Sequence, residues 1–227
     1  MTALLALCGC GKEQEPLTVT PGSLSLRYED KAQLTTNAGS PTYRSEDEFY
    51  ATVDAGGLVT AGKVGKTKVV VSAENGVVEV PVTVIPSYDL YPDLDAFIGA
   101  TPSQVSSKFG SGYTENTGSD GGVTWNYIGY NKYSSIGFHF IGGKVAQVIA
   151  AVPTTYTSML ADHLKERYSV AGMLNDYFFL LNHDRSVIVT LTVYSAKQLA
   201  VLYDTYDATR SVGHDAGVSL FGDVFMD

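Results

Sequence analysis

Cysteine, histidine, tryptophan and positive charge are all scarce in this chain of 227 residues, and each scarcity narrows its function. The two cysteines, Cys8 and Cys10, stand at the extreme N-terminus, so no disulfide can form in the body of the protein. As a CxC pair with no third or fourth thiolate downstream, they make a poor zinc or redox site. His139, His163, His183 and His214 are each isolated in sequence. "HLKER" lacks the second histidine of a zinc-protease helix, and "GHDAG" lacks the serine of a nucleophile elbow. Fifteen Lys+Arg against twenty-four Asp+Glu leave a formal charge of −9, which repels nucleic acid and anionic membrane surfaces over most of the molecule. No apolar run approaches the roughly 20 residues that a spanning helix needs. What remains is an acidic globular chain long enough for two domains, with no cofactor, no metal and no nucleic-acid partner expected. One catalytic arrangement stays open: a Ser/His/Asp set assembled in space around His183 or His214, beside Asp184 or Asp215. The simpler reading of "NHDRS" is a hairpin turn.

Residues 1–9 read as the remainder of an export signal. Ala3-Leu4-Leu5-Ala6-Leu7 is apolar but short and has no Lys/Arg-bearing start, so the initiator is expected upstream or the segment trimmed. Leu7-Cys8-Gly9-Cys10 resembles the lipobox of bacterial lipoproteins, in which cleavage between a small residue and a cysteine, here Gly9 and Cys10, exposes a cysteine that becomes acylated. Cys8 stands where Ala or Ser is commoner. The resemblance implies that residues 10–16 are a lipidated tether and that the lipid bilayer is a partner through acylated Cys10. Gly11-Lys12-Glu13-Gln14-Glu15 resembles the Lys-plus-acids signal of surface-exported lipoproteins of Bacteroidetes. That implies an outer-membrane lipoprotein at the cell surface, with the periplasmic face as the alternative.

Residues 17–86 alternate short apolar runs with turn residues: Leu17 and Val19, Leu24 and Leu26, Ala51 and Val53. Val78, Val80, Val82 and Val84 share one parity and Glu79 and Thr83 the other, the pattern of a strand with one buried face. Several short strands without a helical period predict an all-β sandwich. "LTVTPGSLSLRYEDKAQLTT" and "ATVDAGGLVTAGKVGKTKVVVSAENGVVEVPVTVI" resemble the opening and closing parts of the group 2 bacterial Ig-like domain. Tyr43 stands where that family usually has tryptophan. The resemblance implies an extracellular spacer or adhesion module without catalytic residues. Within it, Gly65-Lys66-Thr67 has the ending of a P-loop, but Thr60 occupies the first glycine position and the following "KVVV" predicts a strand, where a phosphate cradle needs a helix. Glu46-Asp47-Glu48 lacks the spacing of a calcium loop and reads as a solvated acidic loop.

Pro86 closes the sandwich, and residues 87–95, rich in Pro and Asp, read as a linker. Residues 96–207 carry a different pattern. Thr101-Pro102 opens a short helix, with Val105 and Phe109 on one face and Gly110 as its stop. Strands follow at Val123/Trp125/Tyr127, Ile136/Phe138/Phe140 and Val145/Gln147/Ile149. A second helix presents Tyr156, Met159, Leu160 and Leu164 as one stripe, and strands resume at Tyr177–Leu181 and Val187–Tyr194. The predicted order is α-β-β-β-α-β-β, an α+β domain of helix plus antiparallel meander. A shift of 51 residues aligns Pro102 with Pro153, Asn131 with Asn182, Ser135 with Ser186 and Ile136 with Val187, predicting tandem repeats at 96–151 and 152–207. In outline this is similar to β-lactamase-inhibitor proteins and the small outer-membrane assembly lipoproteins. Residues 208–227 read as a C-terminal tail.

Tyrosine is the abundant residue: fifteen, most of them after residue 87. In "YIGYNKYSS", Tyr130, Asn131, Lys132 and Tyr133 form a turn whose aromatic, amide and ammonium groups suit a protein or glycan partner, although tyrosine also simply favours half-exposed strands. The multidomain reading is thus a lipoprotein with an Ig-like stalk and a binding head. An envelope-assembly or enzyme-inhibitor lipoprotein is the second reading, and an uncharacterised hydrolase the third.

Overall fold

The structure, a computed structural model, describes residues 14–207. Gly9 and Cys10, the export-signal remnant, the Lys-plus-acids stretch up to Glu13, His214 and the tail at 208–227 lie outside those residues. The chain divides into two compact units between Ile85 and Pro86.

The first unit contains β1 (Val19–Thr20), β2 (Leu24–Arg27), β3 (Lys31–Gln33), β4 (Thr35–Thr36), β5 (Thr42–Ser45), β6 (Ala51–Val53), β7 (Leu58–Ala61), β8 (Gly65–Ala73) and β9 (Gly76–Ile85). One sheet has the order β2-β9-β8-β5 and the other β3-β7-β6, with β1 and β4 as a short ribbon. Alternation along β9 dictates the core: Val80, Val82 and Val84 are buried, whereas Glu79, Pro81 and Ile85 face out. Val80 and Val82 meet Leu24, Leu34, Val59, Val69 and Val71, and Tyr43 packs against the same cluster as its aromatic plug. Lys66 and Thr67 lie in strand β8. Gly65 is there for a close approach: its φ is +151°, and a Cβ would strike the Tyr50 ring. Glu46 pairs with Lys68, and Asp47 accepts the N–H of Phe49 in its own turn.

The second unit contains α1 (Pro102–Phe109), β10 (Thr114–Thr117), β11 (Val123–Asn131), β12 (Ser134–Ile141), β13 (Lys144–Pro153), α2 (Thr157–Lys165), β14 (Ser169–Leu174), β15 (Tyr177–Leu181), β16 (Val187–Ser195) and β17 (Gln198–Thr205). The eight strands make one sheet, β10-β11-β12-β13-β17-β16-β15-β14, every pair antiparallel. Thr101 caps α1 reciprocally with Gln104, and Pro102 opens it. Val105 from α1 and Leu160 and Leu164 from α2 pack with Ile136, Phe138, Val148, Val189, Val201 and Tyr203 on one face of the sheet.

Two expectations change here. The unit is mostly sheet, with helices of only eight and nine residues, so its build is two α-β-β-β-β halves and not an even α+β mixture. β10, β14 and β17 are the added strands. The halves join where β13 meets β17, and that ladder pairs Ala150 with Val201, which are 51 positions apart. Asn131 and Asn182 each brace a hairpin, the Oδ1 of Asn131 accepting the N–H groups of Tyr133 and Ser134 and that of Asn182 the N–H of Val187.

The second correction concerns residues 87–95. Leu90, Tyr91 and Leu94 are at most 1% exposed and belong to the core of the second unit, so this is a packed strap and not a linker. Its composition is that of a connector because Ser87, Asp89 and Asp93 remain exposed between the buried positions.

Candidate functional site

The strap is held by the end of α2. Glu166 is 2% exposed and accepts the N–H groups of Ser87 (2.9 Å) and Tyr88 (3.0 Å). Arg167 donates to Glu166 (2.7 Å), to Asp93 (2.8 Å) and to the carbonyl of His163 (3.1 Å). His163 itself is buried, with Nδ1 3.1 Å from the Tyr88 carbonyl oxygen, so Nδ1 carries the proton and donates. Burial and the nearby Arg167 lower it to about 3, leaving a neutral ring whose Nε2 is buried without a partner. Tyr168 donates to Asp95, whose carboxyl is raised by its burial, and Tyr203 donates to Tyr91. Every one of these groups faces another part of the same unit. This is a clasp, and its chemistry is structural.

The turn at residues 130–133 is also largely scaffold. Asn131 turns inward and donates to the Leu90 carbonyl at 2.7 Å. Tyr133 is half-buried, edge-on to Tyr156 at 5.0 Å, and Lys132 lies 4.8 Å above its ring. Tyr130 packs beside Phe109 at 5.3 Å yet keeps 36% of its surface exposed. Only Tyr130 and Lys132 of the four project to solvent. Asp184 accepts both the N–H and the hydroxyl of Ser186, which lowers its carboxyl; "NHDRS" is a hairpin turn.

Sequence reasoning missed the other face of the eight-stranded sheet. The helices pack on the Phe138 side. On the opposite side, Ile149, Ala200 and Leu202 form a separate small cluster with Tyr194, and no helix residue joins it among the described residues. Across this helix-free face the register sets Asn116, Thr124, His139, Gln147 and Asp204 in one row over five strands. The neighbouring row runs Thr114, Asn126, Gly137, Ile149 and Leu202.

His139 alternates away from Phe138 and Phe140, yet it is 2% exposed. Its Nδ1 is 2.9 Å from Thr124 Oγ1 and its Nε2 2.9 Å from Asp120. Asp120 also accepts the N–H of Gly122, the first cause of its lowered carboxyl, and a Cβ at Gly122 would strike the His139 ring. The hydroxyl is the buried member and the carboxylate the half-exposed one, the reverse of a nucleophile facing substrate with its acid behind. The trio locks the β10–β11 turn. Gln147 donates to Asp204 at 2.7 Å, while its Oε1 is buried and unpartnered. Asn126 is 2% exposed, and neither its Nδ2 nor its Oδ1 has a partner. No cluster of three or more metal-ligating side chains occurs among the described residues. A polar row bordered by an orphaned amide is an arrangement for hydrogen bonding to something else. Its sequence signal was faint: Asn126 and Gln147 are polar residues flanked by apolar ones inside largely apolar strands.

Residues 15–84 match the bacterial Ig-like domain (group 2) family. No curated protein matches the chain. Among solved structures the chain is similar to an intimin mutant from EHEC O157:H7, with 16% identity and a TM-score of 0.27 over 58% of this chain and 90% of that one. Residues 15–84 are a group 2 bacterial Ig-like domain, followed by a second unit built on one eight-stranded antiparallel sheet.

Proposed function

We propose that the chain is a surface adhesion-type lipoprotein: anchored through acylated Cys10, spaced by the Ig-like domain, and binding a protein or glycan through the helix-free face of its second unit. The observation that carries this reading is the Asn126 amide, which is buried on that face with neither atom hydrogen-bonded. A buried polar group without a partner costs about 1–3 kcal/mol; both amide atoms are closed to solvent, so a ligand takes up this donor–acceptor pair by displacing the side chains that cover it. Tyr130 and Lys132, exposed at the β11–β12 hairpin tip, are a second proposed contact.

Asn126→Leu separates binding from folding. If the amide exists for a ligand, the variant is at least as stable as the wild type and loses the ligands that the wild type takes from a glycan array and a peptide library. A variant that keeps every such ligand moves the site away from this face.

A further inference from the structure

The two halves share a build but end in unlike edges. β10 reads Thr-Glu-Asn-Thr, all four residues exposed and none apolar. β14 reads Ser-Val-Ala-Gly-Met-Leu and carries no charge. Val170 is 76% exposed, Met173 65% and Leu174 56%. Val170 stands opposite Leu180 and Met173 opposite Phe178, which in turn stands opposite Leu191. Leu180 and Leu191 belong to the helix-side core, so Val170, Met173 and Phe178 lie on that same side, with Val193 two positions beyond Leu191 along β16. Phe178 and Val193 remain 48% and 64% exposed. In the first half, Tyr113 stacks on Trp125 at 3.9 Å and Phe109 packs beside Tyr127 and Phe138. The residue that follows α2 at the corresponding place, Tyr168, turns into the core instead. The fold therefore does not require an uncovered apolar edge; this half has one because of its sequence.

We propose that β14 is a self-association edge, and that its occupant is a second copy of this chain paired antiparallel across it. The reasoning rests on charge and symmetry and is independent of what the sheet face binds. A strand paired with itself about a twofold sets each of its charges against its own copy, and β14 has none to oppose. Elsewhere, two chains of net charge −9 repel, so an uncharged edge is where a copy approaches at least electrostatic cost. A twofold perpendicular to the sheet keeps the helix sides together. Val170, Met173 and Phe178 of one copy then meet the same residues of the other as one apolar strip. Among the described residues no strand pairs with the outer edge of β14, which leaves N–H and C=O groups for the ladder. The irregularity between Val170 and Gly172 shortens that ladder, so the apolar strip is the larger part of the contact.

Sedimentation equilibrium on the full chain, produced without acylation, tests this. The wild type is expected to show a concentration-dependent dimer, weakened roughly tenfold or more by Val170→Lys and by Met173→Glu and unchanged by Glu115→Lys at the opposite edge. Both β14 positions are solvent-exposed, so at a dilution where the wild type is monomeric the variants should share its melting temperature, which confirms that they are folded. A wild type that stays monomeric into the hundred-micromolar range (roughly the weakest dimer such an edge would form), including one whose edge takes some other partner, overturns the proposal. So does a dimer that neither β14 variant weakens.

Discussion

Glu166 is the residue on which the second unit's entry segment depends. Its carboxylate accepts two strap N–H groups and faces the Arg167 guanidinium, all in a site with almost no solvent. Glu166→Ala leaves a buried cation short of its partner and two backbone donors unpaired, a class of change that costs about 3–5 kcal/mol. Urea denaturation followed by fluorescence will read it in the right unit, because Trp125 is the chain's single tryptophan. His163 gives a pH prediction. Its ring is lowered to about 3 in the folded protein, against an ordinary 6.5 when unfolded. Between those values the unfolded chain binds more protons, so stability falls as pH falls through that window, by up to about 1.4 kcal/mol per pH unit. Asp95, raised by burial, acts in the opposite sense toward the acid end. The comparison is therefore between wild type and His163→Leu, and the variant should lose stability less steeply between pH 7 and pH 5. Equal slopes would mean that His163 does not fold as the neutral ring. In the 130–133 turn, Tyr130→Ala should leave the melting temperature near the wild type, while Tyr133→Ala, which removes a ring from against Tyr156 and the core, should lower it.

At the scale of elements, the strap makes a prediction opposite to that of a linker. Tyr88, Leu90, Tyr91 and Leu94 are sites for chymotrypsin, yet the last three are buried. Limited digestion of the native protein, read by mass spectrometry, should show no early cuts between Ser87 and Asp95. Early cleavage there would mean that the strap opens readily. Why the strap escaped sequence reading is plain: Pro86, Asp89, Pro92, Asp93 and Asp95 are connector residues, and the partner that orders them, Glu166, is 79 positions from Ser87. β17 escaped for another reason. "LAVLY" is apolar without alternation because this central strand contributes buried apolar residues to a cluster on each face, so period two is lost. β10 and β14, at the edges, have too few buried positions to show a period at all. The helices were legible to within a residue or two, since Thr101, Pro102 and Gly110 act through local geometry.

For the whole molecule, the proposed lipid anchor carries its own test. Each buried CH₂ of an acyl chain contributes about 0.8 kcal/mol, and more than one chain is needed for lasting attachment. Cys10→Ala should accordingly shift the protein from the membrane fraction to the soluble one, and fatty-acid label should be absent from the variant. A variant that remains membrane-bound would remove the lipoprotein reading. Protease treatment of intact cells then distinguishes the cell surface from the periplasmic face.

Legible along the chain were the Ig-like unit, both helices and five of the second unit's eight strands. All of these are written in short-range periodicity, capping residues or a family signature, and none needs a distant partner to be read. Tertiary structure alone decided which polar residues are buried. Glu166, Arg167, His139 and Asn126 look like ordinary surface residues along the chain; they are enclosed because strands and strap from up to 79 positions away close over them. Burial is a property of the assembled sheet and not of a residue's neighbours in sequence, so the helix-free face and its unpaired amide become visible only once the eight strands are in register.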